Sequence, residues 1–359
     1  MIQGEKKQIN TLDSLSPYVG KMRIDLTDWL IEHSASKNGY IYDPFSGSGT
    51  VLLEGWKNGF NVIGNDLNYY AYILAKGKLN PPKDLSTALC SIEVYNNIVN
   101  KKLDIDIVNS IPDWVKEFFH PQTLAEIKCW VNLLKNKEEW FFLACLLGIL
   151  HHQRPGFLSY PASHGVPYLR DKKYPRGEFP EMYSYKNVYE KLSEKVKRVY
   201  KSIPALDFQI NRVVKHENSL DINLKDIRIA TIITSPPYMK SLTYARDNRL
   251  RLWFLGVEDW NELEKKISPD RMAFYKLMLG CFQKWSNLQT CGDKCILVIG
   301  DIEVNYANKK CRLPDVLVDL AQPYYRYIES FEDPIPYIKR VNKGISKIKT
   351  EKILVLERI

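Results

Sequence analysis

A strand, a glycine-rich turn, a helix and a second strand follow one another between Tyr40 and Asp66. Apolar residues in YIYD and NVIGND predict the two strands, PFSGSG predicts the turn, and TVLLEGWKN has the spacing of a helix that Gly59 ends. Strands that are joined through a helix normally pair in parallel within one sheet. This opening therefore predicts an α/β fold built on a mostly parallel sheet.

Further strand patterns occur late in the chain, at FQINRVV, IATIIT, KCILVIGD and KILVLERI. Residues 79–204 differ, because helical patterns such as TLAEIKCWVNLLKNKEEWFFLACLLGIL are followed there by a basic stretch rich in proline, glycine and tyrosine, and by a charged helix near Val188. We therefore expect residues 1–78 and 205–359 to form two halves of one α/β domain, with residues 79–204 inserted between them.

Composition narrows the class of protein. The 359 residues are 26% charged and 45% hydrophobic, which excludes disordered and fibrous architectures. The longest apolar run, Trp140 to Leu150, has eleven residues, about half of what a bilayer requires, so we expect a buried helix and no membrane partner. The N-terminus lacks the apolar core of a secretory signal, which predicts a cytoplasmic protein.

Metal and disulfide chemistry are not indicated. The seven cysteines contain no C-x-x-C pair, so neither a disulfide framework nor a zinc knuckle is predicted. His151 and His152 are adjacent, but adjacent histidines point in different directions on a helix and no third ligand has suitable spacing. We therefore expect no catalytic metal.

Positive charge is concentrated in one part of the chain. The whole chain carries 51 Lys and Arg against 42 Asp and Glu, and residues 151–205 alone hold eleven against five. Seven tyrosines are interleaved with these basic residues. Basic and aromatic side chains in alternation are typical of surfaces that contact phosphates and bases, so we expect nucleic-acid binding here.

The glycine turn predicts a nucleotide-like ligand. Gly47 and Gly49 stand where the first strand meets the helix, and glycines in that position let a ligand approach the backbone closely. A phosphate-binding P-loop and a dinucleotide fingerprint both fit poorly, since the latter requires a third Gly or Ala where this chain has Leu52. Asp66 ends the second strand, where such folds place an acid that holds two ribose hydroxyls, so an adenosine is predicted.

Two motifs, DPFSGSGT at residues 43–50 and TSPPY at residues 234–238, together resemble the S-adenosylmethionine-dependent exocyclic-amino DNA methyltransferases. The segments LSPYVGKMRIDLTDWLIE and SLTYARDNRLRLWFLG and the later strands are also similar to this family, whereas residues 79–204 are not. The resemblance implies a Rossmann-like methyltransferase fold, with a mostly parallel seven-stranded sheet that includes a C-terminal antiparallel strand. It also implies a largely helical inserted target-recognition region between a cofactor-binding half and a catalytic half.

The resemblance assigns the chemistry to Ser235, Pro236, Pro237 and Tyr238. An amine on an aromatic ring is a poor nucleophile, because its lone pair is delocalised into the ring. Acceptors on Ser235 and on the neighbouring carbonyl are expected to turn that lone pair towards the sulfonium methyl, while the prolines stiffen the loop. Tyr238 is expected to stack on a base flipped out of the duplex. No cysteine follows a proline, so a cytosine-C5 mechanism is not expected.

S-adenosylmethionine is the implied cofactor. Asp43 is expected near the methionine ammonium and Lys21 near the carboxylate, with an ordinary surface charge as the alternative for each. Asn218 takes the place of the family's usual third acid and is expected at the adenine amine, with Glu217 as the alternative. The full predicted cofactor set is Lys21, Asp43, Phe45, Gly47, Gly49, Thr50, Asp66, Leu67 and Asn218.

The inserted region is the predicted DNA reader, because the resembled family places target recognition between its two halves in this circular order. The expected contacts to double-stranded DNA are Arg154, His164, Arg170 and Arg176. A restriction endonuclease of the same system is a further candidate partner.

Several substrates remain open at this stage. N4 of cytosine is favoured over N6 of adenine because Ser precedes the diproline, where adenine enzymes more often carry Asp or Asn. Amino-methylation of tRNA or rRNA is a further alternative, but such enzymes usually carry an N-terminal RNA-binding domain, and the 42 residues before Asp43 are too few for one. A non-catalytic nucleic-acid-binding protein on the same fold is the last alternative, against which the intact motifs argue.

Overall fold

A single seven-stranded sheet forms the centre of the molecule. The structure is a computed structural model that describes residues 11–152, 154–161, 173–237, 239, 243–335 and 350–359. The strands are β1 (Tyr40–Asp43), β2 (Val62–Asn65), β3 (Arg212–Lys215), β4 (Ile229–Thr234), β5 (Lys294–Gly300), β6 (Glu303–Tyr306), β7 (Lys309–Arg312), β8 (Tyr325–Pro334) and β9 (Thr350–Arg358). Strands β6 and β7 form a separate hairpin, and the other seven form the sheet.

The strand order identifies the fold. The sheet runs β3-β2-β1-β4-β5-β9-β8, and β1 to β5 pair in parallel. The C-terminal strand β9 lies between β5 and β8 and is antiparallel to both. The predicted mostly parallel sheet with a C-terminal antiparallel strand is therefore confirmed, as a Rossmann-like methyltransferase fold.

Helices cover both faces of the sheet and form most of the middle of the chain. The α-helices are α1 (Ile24–Ser34), α2 (Thr50–Lys57), α3 (Tyr69–Leu79), α4 (Leu85–Lys102), α5 (Asp113–Lys116), α6 (Pro121–Asn136), α7 (Trp140–Leu150), α8 (Val188–Val199), α9 (Arg249–Phe254), α10 (Trp260–Ile267), α11 (Arg271–Ser286) and α12 (Leu313–Ala321). Side chains cap several of these helices: Asn68, Asp84 and Asn187 accept hydrogen bonds from backbone N–H groups in the first turns of α3, α4 and α8.

Burial explains the two most apolar elements. Every residue of β4 is buried, because this strand lies inside the sheet with helices on both faces. Helix α7 is apolar on all sides and is buried between α3, α6 and α8, as predicted for Trp140 to Leu150. Glu138, in the left-handed region at φ 56°, separates α7 from α6. Within the described part of the chain, no helix is long and apolar enough to cross a membrane.

The helical region and the α/β part share one hydrophobic core. Helix α3, which follows β2, packs closely on α7 at Gly77, where an added Cβ would lie 2.7 Å from the Cβ of Ala144. Gly148 of α7 meets the backbone of Leu15 with no space for a side chain. Helix α7 of the helical region is therefore packed closely against α3 and against the segment that precedes α1.

Candidate active site

A cleft opens at the carboxyl ends of β1, β2 and β4. It lies where the strand order reverses between β1 and β4, which is the position where open parallel sheets bind nucleotides. Its empty volume is about 890 Å³. The residues that line it are Tyr18, Gly20, Lys21, Met22, Asp43, Phe45, Ser46, Gly47, Ser48, Thr50, Val51, Asp66, Leu67, Asn68, Asn218, Ser219, Ser235, Pro237, Tyr244, Lys266, Ile267 and Leu277.

The two sequence motifs meet in this cleft. Asp43 ends β1 and Thr234 ends the neighbouring strand β4, and the hydroxyl of Thr234 donates a hydrogen bond of 2.7 Å to Asp43 Oδ1. Ser235 and Pro237, which follow β4, line the same cleft as Gly47. Adjacent parallel strands end at the same edge of a sheet, so segments 191 residues apart in sequence become neighbours here.

Asp66 is a buried carboxylate at the end of β2. Its Oδ2 accepts from Gly47 N–H and its Oδ1 accepts from Asn68 N–H, each at 2.8 Å. Burial raises the pKa of Asp66 to about 6, against the opposing effect of these two hydrogen bonds. Each carboxylate oxygen keeps a further lone pair, which suits a pair of ribose hydroxyls.

The glycine turn beside Asp66 is built for close approach. Gly47 has φ +49°, and an added Cβ would lie 3.3 Å from the Tyr18 ring. The buried hydroxyl oxygen of Ser46 has no hydrogen-bond partner among the described residues, although it lines the cleft. An unsatisfied buried hydroxyl beside an anionic acceptor fits a polar ligand such as S-adenosylmethionine.

Asp43 is the second buried acid that lines the cleft. It accepts from Phe45 N–H at 3.2 Å in addition to Thr234. Burial, with a smaller contribution from the negative charge of Asp66, raises the pKa of Asp43 to about 7 against the opposing effect of its two hydrogen bonds. A positively charged ligand group in the cleft would favour the ionised form. The residue therefore fits the predicted position near the methionine ammonium.

Asp43→Asn is expected to change the pH dependence of stability of the cofactor-free protein. The carboxyl of Asp43 titrates near pH 7 when folded and near 3.8 when unfolded, so its contribution to the free energy of unfolding is complete below 3.8 and is lost as the pH rises to about 7. The loss is at most about 4 kcal/mol. Denaturant unfolding at pH 4.5 and pH 8 should show a smaller decrease for Asp43→Asn than for wild type, and equal decreases would contradict the assignment.

The segment before α1 forms one wall of the cleft, as the resemblance implied. The Lys21 ammonium donates to the carbonyls of Asp13 and Ser16 at 3.0 and 3.1 Å, and burial lowers its pKa to about 8. One of its three N–H groups remains for a ligand carboxylate. Tyr18 is stacked on Tyr244 with ring centroids 6.3 Å apart, so this wall is joined to the segment that follows the diproline.

Asn218 lies in the third predicted cofactor segment and lines the cleft together with Ser219. Its side-chain oxygen accepts from Leu220 N–H at 3.1 Å, so a hydrogen bond from an adenine amine would share that oxygen. Glu217, the alternative, is absent from the lining, and its backbone is hydrogen-bonded to the Asn65 side chain. Asn218 is thus the better placed of the two.

Gly49 and Pro236 do not line the cleft, unlike the other described residues of the predicted cofactor and diproline sets. Gly49 is required for packing: its φ is +77°, and an added Cβ would lie 2.9 Å from both Cα and Cβ of Ala75 in α3. The structure therefore assigns Gly49 a role in seating α2 against α3, and its predicted contact with the cofactor stays a prediction.

Gly49→Ala is expected to destabilise the protein more than Gly292→Ala. Both glycines have left-handed backbones, but an added Cβ at Gly292 meets nothing within 4 Å. Both variants therefore have the same kind of backbone strain. Only Gly49→Ala also overpacks the core, which should lower the free energy of unfolding by a further amount of about 1–3 kcal/mol. Denaturant unfolding of both variants measures the difference. Equal decreases in the free energy of unfolding would show that Ala75 moves aside without loss of stability.

Two of the four predicted DNA-contacting residues, Arg154 and Arg176, lie in the part of the chain that the structure describes. Arg154 is exposed, and the Arg176 guanidinium lies 4.7 Å from the Tyr183 ring centroid. Tyr160 and Tyr183 are buried, so the expectation that the tyrosines form a nucleic-acid surface is wrong for these two, which pack on each other instead. The predicted residues that lie outside the described part are His164, Arg170 and Tyr238.

The two adjacent histidines have structural contacts. His151 is buried and its Nδ1 is 2.9 Å from the Ser159 hydroxyl, while the His152 ring is stacked on Phe157. No group of three or more potential metal ligands occurs within the described ranges.

Sequence reasoning missed several residues of the cleft. Asn68 follows Asp66 by two positions and had a local signal, as the cap of α3. Ile267 and Leu277 had none, because they come from distant elements, whereas Tyr244 lies in the segment SLTYARDNRLRLWFLG that resembles the family. Behind the glycine turn lies Lys78, whose buried ammonium is 3.4 Å from the Ser48 hydroxyl and whose pKa burial lowers to about 7.

Comparison with known proteins gives consistent matches. The family model described as "D12 class N6 adenine-specific DNA methyltransferase" matches residues 23–114. The chain is 27% identical over 252 residues to the Type II methyltransferase M.MvaI of Kocuria varians, covering 61% of this chain and 51% of that protein. It is 25% identical over 123 residues to the Type II methyltransferase M.MjaII of Methanocaldococcus jannaschii, covering 34% and 21%.

The chain thus spans about half the length of the first relative and about a fifth of the second. Among solved structures, TrmN from Thermus thermophilus aligns with 95% of this chain and 50% of its own, at 10% identity and a TM-score of 0.37. That likeness is low, and the fold is identified by its strand order instead. The family-model match and the two relatives support the resemblance to the S-adenosylmethionine-dependent exocyclic-amino DNA methyltransferases that the two sequence motifs indicated.

Proposed function

We propose that this protein transfers a methyl group from S-adenosylmethionine to an exocyclic amino group of a DNA base, with N6 of adenine as the target. The observation that carries the proposal is the single cleft lined by both the glycine turn and the Ser235–Pro237 turn. The adenine target follows the description of the matched family model. It replaces the preference for cytosine N4, which depended on Ser235 and which the family model does not support.

Bound S-adenosylmethionine supplies an electrophilic methyl group on a sulfonium. The chain's part is to hold the two reactants. When the cofactor is bound, Asp66 would accept hydrogen bonds from its ribose hydroxyls, Asp43 would hold its ammonium and Lys21 would hold its carboxylate. Ser235 accepts from the amino group of the target base and turns its lone pair towards the methyl group. Positioning of this kind lowers the barrier because the reacting atoms are already held close together and in line.

Target recognition is proposed for residues 79–204, the region between the cofactor-binding and catalytic halves. The exposed Arg154 and the exposed side of Arg176 support this assignment, because cations at a surface position a duplex through its phosphates. A restriction endonuclease that recognises the same site remains a proposed partner.

The test uses the full chain with labelled S-adenosylmethionine and duplex DNA, tRNA or no acceptor. Digestion of the product to nucleosides identifies the modified base. Label in N6-methyladenine from duplex DNA is the expected result. Label in RNA alone, or no transfer to any acceptor by protein that binds the cofactor, would overturn the proposal.

Cytosine N4 is the second candidate, favoured by one observation: the residue before the diproline is Ser235 and not Asp or Asn. A serine hydroxyl accepts from an amine as a carboxylate does, but without its charge. Label in N4-methylcytosine in the same digest would replace the adenine assignment and leave the methyl-transfer chemistry unchanged.

A further inference from the structure

Three tryptophans line a groove that is separate from the cofactor cleft. Trp114 comes from the helical region, whereas Trp253 and Trp260 come from α9 and α10. The groove is also lined by three charged residues, Lys128, Arg249 and Glu258. The groove therefore lies where the helical region meets the part of the chain that follows the diproline.

Indole faces and cations are paired in this groove. The Lys128 ammonium lies 4.8 Å from the Trp253 ring centroid, and the Arg249 guanidinium lies 5.5 Å from that of Trp114. The two indoles meet edge to face at 6.3 Å. Trp114 is 36% exposed, and the other two tryptophans are half-buried. Partly exposed indoles beside cations are the elements with which proteins stack unpaired bases and neutralise the adjoining phosphates.

One segment, residues 243–267, contributes to both the groove and the cofactor cleft and is held in place by hydrogen bonds. It supplies Tyr244 and Ile267 to the cleft, and it supplies Arg249, Trp253 and Trp260 to the groove. The Glu264 carboxylate accepts from three successive backbone N–H groups, those of residues 244–246. Arg251 fastens α9 to α7 by donating to the Leu147 and His151 carbonyls. Residues 243–267 therefore contribute side chains to both the cofactor cleft and the groove.

We propose that this groove binds an unstacked nucleotide of the substrate DNA other than the one that is methylated. Its base would stack on the partly exposed indole of Trp114, which meets Trp253 edge to face, and its phosphate would lie beside Lys128. The lining brings the cations Lys128 and Arg249 beside the indole rings, which favours a polyanion over a proline-rich peptide as the occupant. The choice of DNA rests on the proposed function, whereas the stacking site itself does not.

The test measures binding of a labelled single-stranded dodecamer of deoxyadenosine to the full chain by anisotropy, with tryptophan fluorescence recorded in parallel. Wild type should bind with quenching, and Trp114→Ala should weaken binding by about 5-fold or more. Tyr327→Ala is the matched control, since it removes a ring of similar exposure, 46%, from the sheet edge, and its affinity should not change. Cofactor binding by calorimetry verifies that each variant is folded.

A second variant, Lys128→Ala, keeps all three indoles and should reduce the slope of log affinity against log salt by about one. Failure of wild type to bind the oligonucleotide, unchanged binding by folded Trp114→Ala, or quenching by a proline-rich peptide alone would overturn the inference. Methyl transfer to DNA without binding in the groove would refute only this inference. Oligonucleotide binding that depends on Trp114, without methyl transfer to any DNA, would refute only the proposed function.

Discussion

Asp66→Asn is expected to lower the affinity for S-adenosylmethionine by about 10- to 100-fold, because hydrogen bonds to a charged acceptor are worth about 1.5–3 kcal/mol. The carboxylate of Asp66 already accepts from Gly47 and Asn68 N–H groups, and the amide of Asn has only one acceptor atom. One of these N–H groups then loses its partner, so the glycine turn is also less well held. Isothermal titration calorimetry with the cofactor and no DNA measures the effect directly.

Asp226→Asn is the matched control for this experiment. Asp226 is exposed and lies outside the cleft, so the same chemical change there should leave cofactor affinity unaltered. If Asp66→Asn binds the cofactor as tightly as wild type, Asp66 serves only to hold the turn through Gly47 and Asn68. The adenosine interpretation of the second strand would then be wrong.

Ser235→Ala is expected to slow methyl transfer by about 100-fold, the cost of removing one well-placed polar group from a reacting centre. Ser235 lines the cleft, but the cofactor contacts proposed above come from other residues, so cofactor affinity should be unchanged. Single-turnover transfer at saturating DNA isolates the chemical step from binding and release. The prolines that follow are retained, so the course of the loop is preserved.

Ser235→Thr is the companion variant, because it returns a hydroxyl to the same carbon. We expect it to recover part of the rate lost in Ser235→Ala. A folded Ser235→Ala enzyme with the wild-type single-turnover rate would exclude the hydroxyl from the mechanism. Parallel calorimetry with the cofactor separates that result from a defect in cofactor binding.

The site residues that short sequence patterns predicted are those that lie at the carboxyl ends of strands. Asp43 and Asp66 each stand at or directly after a buried strand, and β1 and β2 are joined by a single helix, so their carboxyl ends were expected side by side. The diproline turn was placed in the same cleft through the resemblance and the apolar strand before it, and the structure has it there. Position along a strand is a local property, which short patterns encode well.

Residues with roles that depend on distant neighbours were predicted less well. Gly49 has the same local signal as Gly47, yet Ala75 on another helix makes it a packing residue. The interleaved tyrosines matched a nucleic-acid surface, but Tyr160 and Tyr183 are buried against each other. Composition records which side chains a segment contains, and it does not record which of them face solvent.

Short patterns were sufficient to predict six of the seven strands of the sheet, the glycine turn and the acids beside it, because hydrophobic periodicity and turn chemistry act over a few residues. Packing between remote segments determined the rest. It brought Tyr244, Ile267 and Leu277 to the cofactor cleft, and it joined Trp114 with Trp253 across a second groove. Such contacts follow from how helices are seated on the sheet, a long-range balance of shape and burial that no short stretch of sequence contains.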